Sequence, residues 1–241
     1  MNRGITSKDY QKIYDKHIID QGIEFQIDKY YEPKEIPMRK RIDIVLETLK
    51  PQINEKILDI GCGVGTFAFH AAKAGAITTG IDYSVESIRI AKILAKRYGI
   101  SDKTKFVIGN AAILPFRDSS FDKIVSADFI EHITFEEKYA LCAEIYRVLK
   151  PNGICVIFTP NGIREKIGDI YWHIRHLLLR DKIPVSELHF GLTHKFEFEN
   201  ILRDNKLQFR LFYSDITRPY LARVPFLKVF LSLNLLWIIN K

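Results

Sequence analysis

The chain has 241 residues, 47% hydrophobic and 27% charged, which excludes an intrinsically disordered chain and fits one large domain, or one domain with an appendage. Lys and Arg number 36 against 29 Asp and Glu, a formal charge of +7. That balance suits nucleic acid, an anionic membrane or acidic substrates, and equally a merely lysine-rich surface.

Residues 1–50 read as a helical, aromatic-rich N-terminal cap ending before Pro51. The opening, MNRGITSKDYQKIYDKH, is polar and lacks the apolar core of a signal peptide. From Lys56 onward, apolar runs alternate with helical patterns, which predicts βαβ units and an α/β fold on a mostly parallel sheet with helices on both faces. Ile57–Ile60 is a strand, Val64–Ala74 a helix stopped by Gly75, and Ile77–Ile81 the next strand. Ser84 caps a helix reaching Tyr98, with Glu86 in its first turn and Ile88, Ala91, Leu94, Ala95 and Tyr98 on one face. Strands follow at Lys105–Ile108 and Lys123–Ala127. A helix from Phe135 to Leu149 stops at the turn Pro151-Asn152-Gly153, before the fully apolar strand Ile154–Phe158. Residues 161–190 break the rhythm as an insertion; a helix near Phe196–Asn205 and strands near Leu207–Tyr213 and Leu235–Ile239 complete seven strands.

The stretch Leu221–Ile239 is apolar but interrupted by Arg223, Pro225, Lys228 and Asn234. A bilayer crossing needs ~20 apolar residues in a row, so a short helix followed by a strand is expected there. Cys62, Cys142 and Cys155 form no CxxC pair, which argues against a disulfide framework or zinc site and for a reducing, cytoplasmic compartment.

Chemistry concentrates first in Asp59-Ile-Gly61-Cys62-Gly63-Val-Gly65, between a strand and a helix. Glycines there let the backbone approach a ligand, and the helix N-terminus offers free N–H groups. Thr66 stands where a dinucleotide fingerprint places its third glycine. Asp82 ends the second strand, where a carboxylate can accept from both hydroxyls of a ribose. A plain structural turn and a helix cap are the alternatives for the two features.

The segments ILDIGCGVG, GIDYS, GNAAILPFRDSSFDKIVSADFIEHI and IYRVLKPNGICVIFTPN resemble, in order and spacing, the class I S-adenosylmethionine-dependent methyltransferases. The resemblance implies a Rossmann-like, seven-stranded sheet with S-adenosylmethionine as cofactor. It implies that Gly61, Cys62, Gly63 and Gly65 pass the methionine part, that Asp59 faces its amino group, and that Asp82 holds the ribose. Tyr83 and Ala111 would flank the adenine. Asn110 stands where the family commonly has Asp at the adenine amine, and keeps a carbonyl acceptor.

Asp128, Glu131 and His132 follow the fourth strand, at the strand end where open α/β sheets place ligands. Asp128-Phe-Ile-Glu131-His132 is similar to the metal-assisting segment of the ubiquinone-biosynthesis O-methyltransferases, and Tyr30-Tyr-Glu-Pro33 faintly to the aromatic segment before their core. His132 is the candidate base, with Glu131 and Asp128 beside it. A divalent metal is left open, as is a purely structural role for the three. Arg39 and Arg41 are either partners of the cofactor carboxylate or a solvated helix face. His189 and His194 are candidates for caps or loop contacts near the mouth of the site. The insertion carries Ile167, Ile170, Tyr171, Ile174, Leu177 and Leu178 at helical spacing among cations, which fits a lid, a membrane-surface helix or ordinary packing.

The expectation is therefore methyl transfer to a small, lipophilic acceptor, at oxygen, with no stable nucleic-acid partner and at most a weak, peripheral membrane association. An RNA or protein methyltransferase, a nicotinamide-dependent oxidoreductase and a cofactor-binding protein without turnover are the competing readings.

Overall fold

The structure is a computed structural model and describes residues 7–179, 191–216, 224 and 227–241. Helix α1 (Ser7–Gln26) is kinked at Gly22, whose φ of 73° suits a residue without Cβ. A π-helical turn, Ile27–Tyr31, leads to α2 (Ile36–Leu49). Then come β1 (Lys56–Ile60), α3 (Thr66–Lys73), β2 (Ile77–Asp82), α4 (Val85–Arg97), β3 (Thr104–Ile108) and β4 (Phe121–Ala127). A 3₁₀ turn, Ile130–His132, precedes α5 (Phe135–Val148) and β5 (Leu149–Pro160). The chain closes with α6 (Gly162–Leu179), α7 (Lys195–Asp204), β6 (Gln208–Ile216), α8 (Lys228–Leu231) and β7 (Ser232–Asn240).

The seven strands form one sheet in the order β3-β2-β1-β4-β5-β7-β6. Pairings are parallel from β3 through β5, and β7 runs antiparallel to both β5 and β6. This is the mostly parallel α/β sheet expected, with β7 alone reversed. The strand order turns back between β1 and β4, so a crevice opens beyond their C-terminal ends. The glycine turn after β1 and Asp128 after β4 flank that crevice.

Successive strand residues point to opposite faces, and each face has its own core. Ile57, Val125 and Val156 pack with Val45 and Leu49 of α2 and Phe67 of α3. Leu58, Ile124 and Ile157 pack with Leu141 and Ile145 of α5, Phe198 and Ile201 of α7, and Trp237. Residues of α1 join a third cluster with α3 and α4, centred on Ile18, Phe69 and Leu94.

Two boundaries differ from expectation. Helix α3 starts at Thr66, not Val64, because Gly65 takes φ 97° and holds the turn open for two residues more. Pro151-Asn152-Gly153 does not separate α5 from β5. The chain enters β5 at Leu149, and the register with β4 shifts between Phe121↔Leu149 and Lys123↔Ile154, so the turn residues bulge out of a continuing strand. Residues 180–190 of the expected insertion, including His189, lie outside the described residues, as does most of 217–226. No helix among the described residues is long and apolar enough to cross a membrane.

Candidate functional site

The glycine turn is built from β1 outward. Gly61, Gly63 and Gly65 all have positive φ, at 70°, 51° and 97°. A Cβ on Gly61 would sit 2.3 Å from the Phe129 ring, so this glycine admits an aromatic side chain from the β4 end into the crevice. The parallel register Ile60↔Ile81 brings Asp82 alongside the turn. One Asp82 oxygen accepts from the Gly63 N–H and the other from the Ser84 N–H, each at 2.8 Å. Burial pushes the Asp82 pKa up, and these two N–H groups work against that rise.

Two adjoining cavities meet at this turn and share Tyr14, Gly61 and Asp128. The larger is walled by Ile81, Asp82, Tyr83, Asn110, Ala111, Phe129 and His132. The smaller is walled by Gln26, Tyr30, Arg41, Cys62, Gly63 and Phe67. The elements before β1 therefore contribute to both. Helix α1 is fastened there: Gln11 Nε2 donates to the Tyr83 carbonyl at 2.9 Å, and Ser84 Oγ donates to Asp15. Thr66 Oγ1 donates to the Tyr30 carbonyl at 3.0 Å, tying the π-helical turn to α3.

Of the expected cofactor residues, Gly61, Cys62, Gly63, Asp82, Tyr83, Asn110 and Ala111 line the cavities. Asp59 and Gly65 do not. Asp59 is 2% exposed and accepts from the Ala68 N–H at 3.0 Å, so it braces the first turn of α3 from below. Burial pushes its pKa up to about 7, with the nearby Asp82 adding to the rise. Gly65 turns the chain into α3. The Cys62 thiol is buried, and burial pushes its pKa well up, so it serves as packing and not as a nucleophile. Asn110 Oδ1 already accepts from the Ala112 N–H at 2.8 Å, which leaves its second lone pair and the amide N–H₂ for a ligand.

Of the three residues after β4, Asp128 and His132 line the larger cavity and Glu131 does not. Asp128 has φ 50° and its carboxylate pairs with Arg41 of α2. Glu131 is fully buried; Oε2 accepts from Thr159 Oγ1 at 3.0 Å, and Oε1 has no hydrogen-bond partner among the described residues. His132 alone of the last two reaches the larger cavity. A short 3₁₀ turn separates the side chains that sequence adjacency grouped together. Among the described residues no group of three or more His, Cys, Asp or Glu is placed to hold a metal ion.

Arg41 is not a solvated helix face. It is largely buried, stacks 5.6 Å from the Phe67 ring, and burial lowers its pKa against the raising fields of Tyr30, Glu131 and Asp59. Among the described residues its buried Nε has no hydrogen-bond partner, nor has the buried Gln26 Oε1. Both residues line the smaller cavity. A ligand in the smaller cavity would therefore meet a guanidinium and a side-chain amide, which suit a molecule carrying both an anion and an N–H donor. An aminocarboxylate has both. The larger cavity supplies a carboxylate with spare lone pairs and an apolar slot between Ile81, Ala111 and Phe129. That set fits a ribose and a flat base. The chain thus has donor and acceptor groups for both ends of S-adenosylmethionine.

Sequence reading missed Gln11, Tyr14, Gln26 and Phe129 on the cavity walls. Phe129 had a signal in its place between the β4 end and Glu131-His132.

Burial also makes the folded state pH-sensitive. Burial raises Glu131 from 4.5 and Asp59 from 3.8, each to about 7. Between the two values the folded chain binds a proton that the unfolded chain has lost. These groups therefore favour folding at low pH, and that stability falls as pH rises from about 4 to 7, at about 1.4 kcal/mol per pKa unit at most. Glu131→Gln should lessen the drop in urea midpoint between pH 5 and pH 8 relative to the parent. Parallel pH profiles for the two proteins would show that Glu131 does not titrate in this range.

Residues 58–157 match the family model described as a methyltransferase domain. A norajmaline N-methyltransferase of Rauvolfia serpentina is 38% identical over 106 residues, 44% of this chain and 36% of that protein. A sterol 24-C-methyltransferase of Gibberella zeae is 40% identical over 104 residues, 43% of this chain and 27% of that protein. The match thus spans about a third of these relatives' own length. A crystal structure of a SAM-dependent methyltransferase from Methanosarcina mazei is 25% identical, with a TM-score of 0.57, over 78% of this chain and 92% of that one. Residues 58–157 are thus similar to a methyltransferase domain, and the seven-stranded sheet of the whole chain has the Rossmann-like fold of such enzymes.

Proposed function

We propose that this chain transfers a methyl group from S-adenosylmethionine to a small, lipophilic acceptor. The observation that carries the reading is the division of one cleft into two complementary halves. Arg41 and Gln26 line one, and the Asp82 carboxylate, held by the Gly63 and Ser84 N–H groups, lines the other. Arg41 would hold the cofactor's carboxylate, Gln26 its ammonium group, and Asp82 the ribose hydroxyls. Ile81, Ala111 and Phe129 would hold the adenine faces. When bound, the cofactor supplies a methyl group on a sulfonium with a neutral thioether as leaving group. The chain's share is then orientation, exclusion of water and removal of a proton.

His132 is the side chain on the cleft wall suited to that proton. Asp128, engaged by Arg41, fixes the guanidinium instead, and Glu131 anchors the 3₁₀ turn from beneath. Oxygen as the methylated atom rests on His132 alone; the two relatives are named for nitrogen and carbon. The narrower likeness to ubiquinone-biosynthesis O-methyltransferases rests on the 128–132 and 30–33 segments. A lipophilic acceptor is supported by the aromatic walls, Tyr14, Tyr30, Phe67 and Phe129. Ile167, Ile170 and Tyr171 are exposed on α6 in a segment that also carries Arg164, Lys166 and Arg175, and a weak, salt-sensitive contact of these cations with anionic lipid is proposed.

Purified protein with methyl-labelled cofactor, screened against quinol, phenol, amine, sterol and RNA pools, should label a small molecule. Calorimetry should show S-adenosylhomocysteine binding and no response to NADH. Tight NADH binding without S-adenosylhomocysteine binding would reverse the assignment, and efficient labelling of bulk RNA would replace the small acceptor with RNA.

A further inference from the structure

The cleft's adenine wall stands on an irregular segment. After β3 the chain must return to the start of β4, and a parallel crossover of this kind is usually helical. Here residues 109–120 contain no helix or strand. Their backbone polar groups need partners elsewhere. Much of that need is met by two side chains in the last turn of α5, Glu144 and Arg147.

The Arg147 guanidinium has five N–H donors, and each has a use. Nε and one terminal nitrogen donate to the two oxygens of Glu144, at 2.8 and 2.7 Å. That second nitrogen also donates to the Leu114 carbonyl at 2.9 Å. The other donates to the Phe116 carbonyl at 2.6 Å and to Asp118 at 2.9 Å. Glu144 in turn accepts from the Leu114 N–H at 2.6 Å. Both backbone groups of Leu114 are thus held by one ion pair. Leu114 is buried in the same cluster as Ala111, Ile81 and Ile133, three residues of the larger cavity's wall. Asn110 is oriented by the same segment through the Ala112 N–H.

We infer that Arg147 and Glu144 are positioning residues for the adenine pocket, holding residues 110–118 in binding-ready shape before any ligand arrives. The inference rests on the cofactor reading above. It depends on the planar fork of arginine, because a lysine ammonium has three donors and cannot span two carbonyls and a bidentate carboxylate together. Neither residue lines the cleft, so their effect reaches a ligand only through Leu114, Ala111 and Asn110.

The test compares S-adenosylhomocysteine with S-inosylhomocysteine, which differs only in the base, by calorimetry on the parent, Arg147→Lys and Glu144→Gln. The parent should prefer the adenine ligand roughly tenfold, as a site built to meet a polar group rejects its analogue. Arg147→Lys should weaken S-adenosylhomocysteine about tenfold and bring the two ligands to near-equal affinity. A merely stabilising ion pair would lower the melting temperature and leave the ratio alone. Hydrogen exchange on the ligand-free parent gives a measurement independent of any variant: the Leu114 amide should exchange as slowly as strand amides of β4. A parent without base preference, an unchanged ratio in the two variants, or fast exchange at Leu114 would each overturn the inference. A parent that fails to bind S-adenosylhomocysteine at all would overturn the cofactor reading, and this inference with it.

Discussion

Asp82→Ala should weaken S-adenosylhomocysteine binding more than tenfold in calorimetry near neutral pH. Each Asp82 oxygen spends one lone pair on a backbone N–H, of Gly63 and of Ser84. A carboxylate has about four acceptor sites, so capacity for a ribose hydroxyl remains beyond the Gly63, Ser84 and Tyr83 N–H groups. Losing a charged hydrogen-bond partner in such a place costs ~1.5–3 kcal/mol, and about 1.4 kcal/mol is tenfold in affinity. The substitution also strips the Gly63 and Ser84 amides of their acceptor, so the glycine turn loses a brace as well as the ligand losing a contact. Asp82→Asn should fall between the parent and the alanine variant, because its amide keeps one acceptor oxygen and turns the other into a donor. Unaltered binding by Asp82→Ala would remove the ribose role and leave this carboxylate only the turn to support.

The pairing of Asp82 with the glycine turn was legible because both halves are local. Each lies at a strand's C-terminal end, and parallel pairing of β1 with β2 brings such ends together whatever the rest of the chain does. The strands and most helices were legible for a related reason, since burial on two faces or one stripe writes its period into the sequence. The other half of the cleft is non-local. Arg41 meets Asp128 across 87 residues, and Gln11 meets the Tyr83 carbonyl across 72. No spacing within α1 or α2 announces such partners, and Arg41 read as readily as a solvated face. Direction was lost even where position was right. Asp59 belongs to the glycine segment but points beneath it, and Glu131 sits beside His132 but turns toward Thr159. A tight turn decides those directions, and composition carries no record of it.

His132→Ala should lower turnover on the acceptor identified by screening about a hundredfold or more, with S-adenosylhomocysteine affinity within a few-fold of the parent. His132 is set on the larger cavity's wall by a turn whose geometry is fixed on both sides of it. Its own N–H donates to the Phe129 carbonyl at 2.9 Å, and the preceding Glu131 carbonyl accepts from the Gly191 N–H at 2.8 Å. A Cβ on Gly191 would lie 2.1 Å from the Ile133 carbonyl oxygen, so the returning chain presses directly on this turn. The backbone of the turn is thereby held without help from the imidazole, so removing the ring should leave the turn in place. That separates the chemical effect from a structural one. Imidazole gains and loses a proton within the range where enzymes work, and an acceptor hydroxyl must shed one as it takes a methyl group. An acceptor already carrying a lone pair, such as a neutral amine, has less need of it. The size of the loss therefore reports on the methylated atom. A hundredfold fall supports oxygen, and a fall below about fivefold, with binding intact, leaves His132 as a wall of the pocket and shifts the proposal to nitrogen.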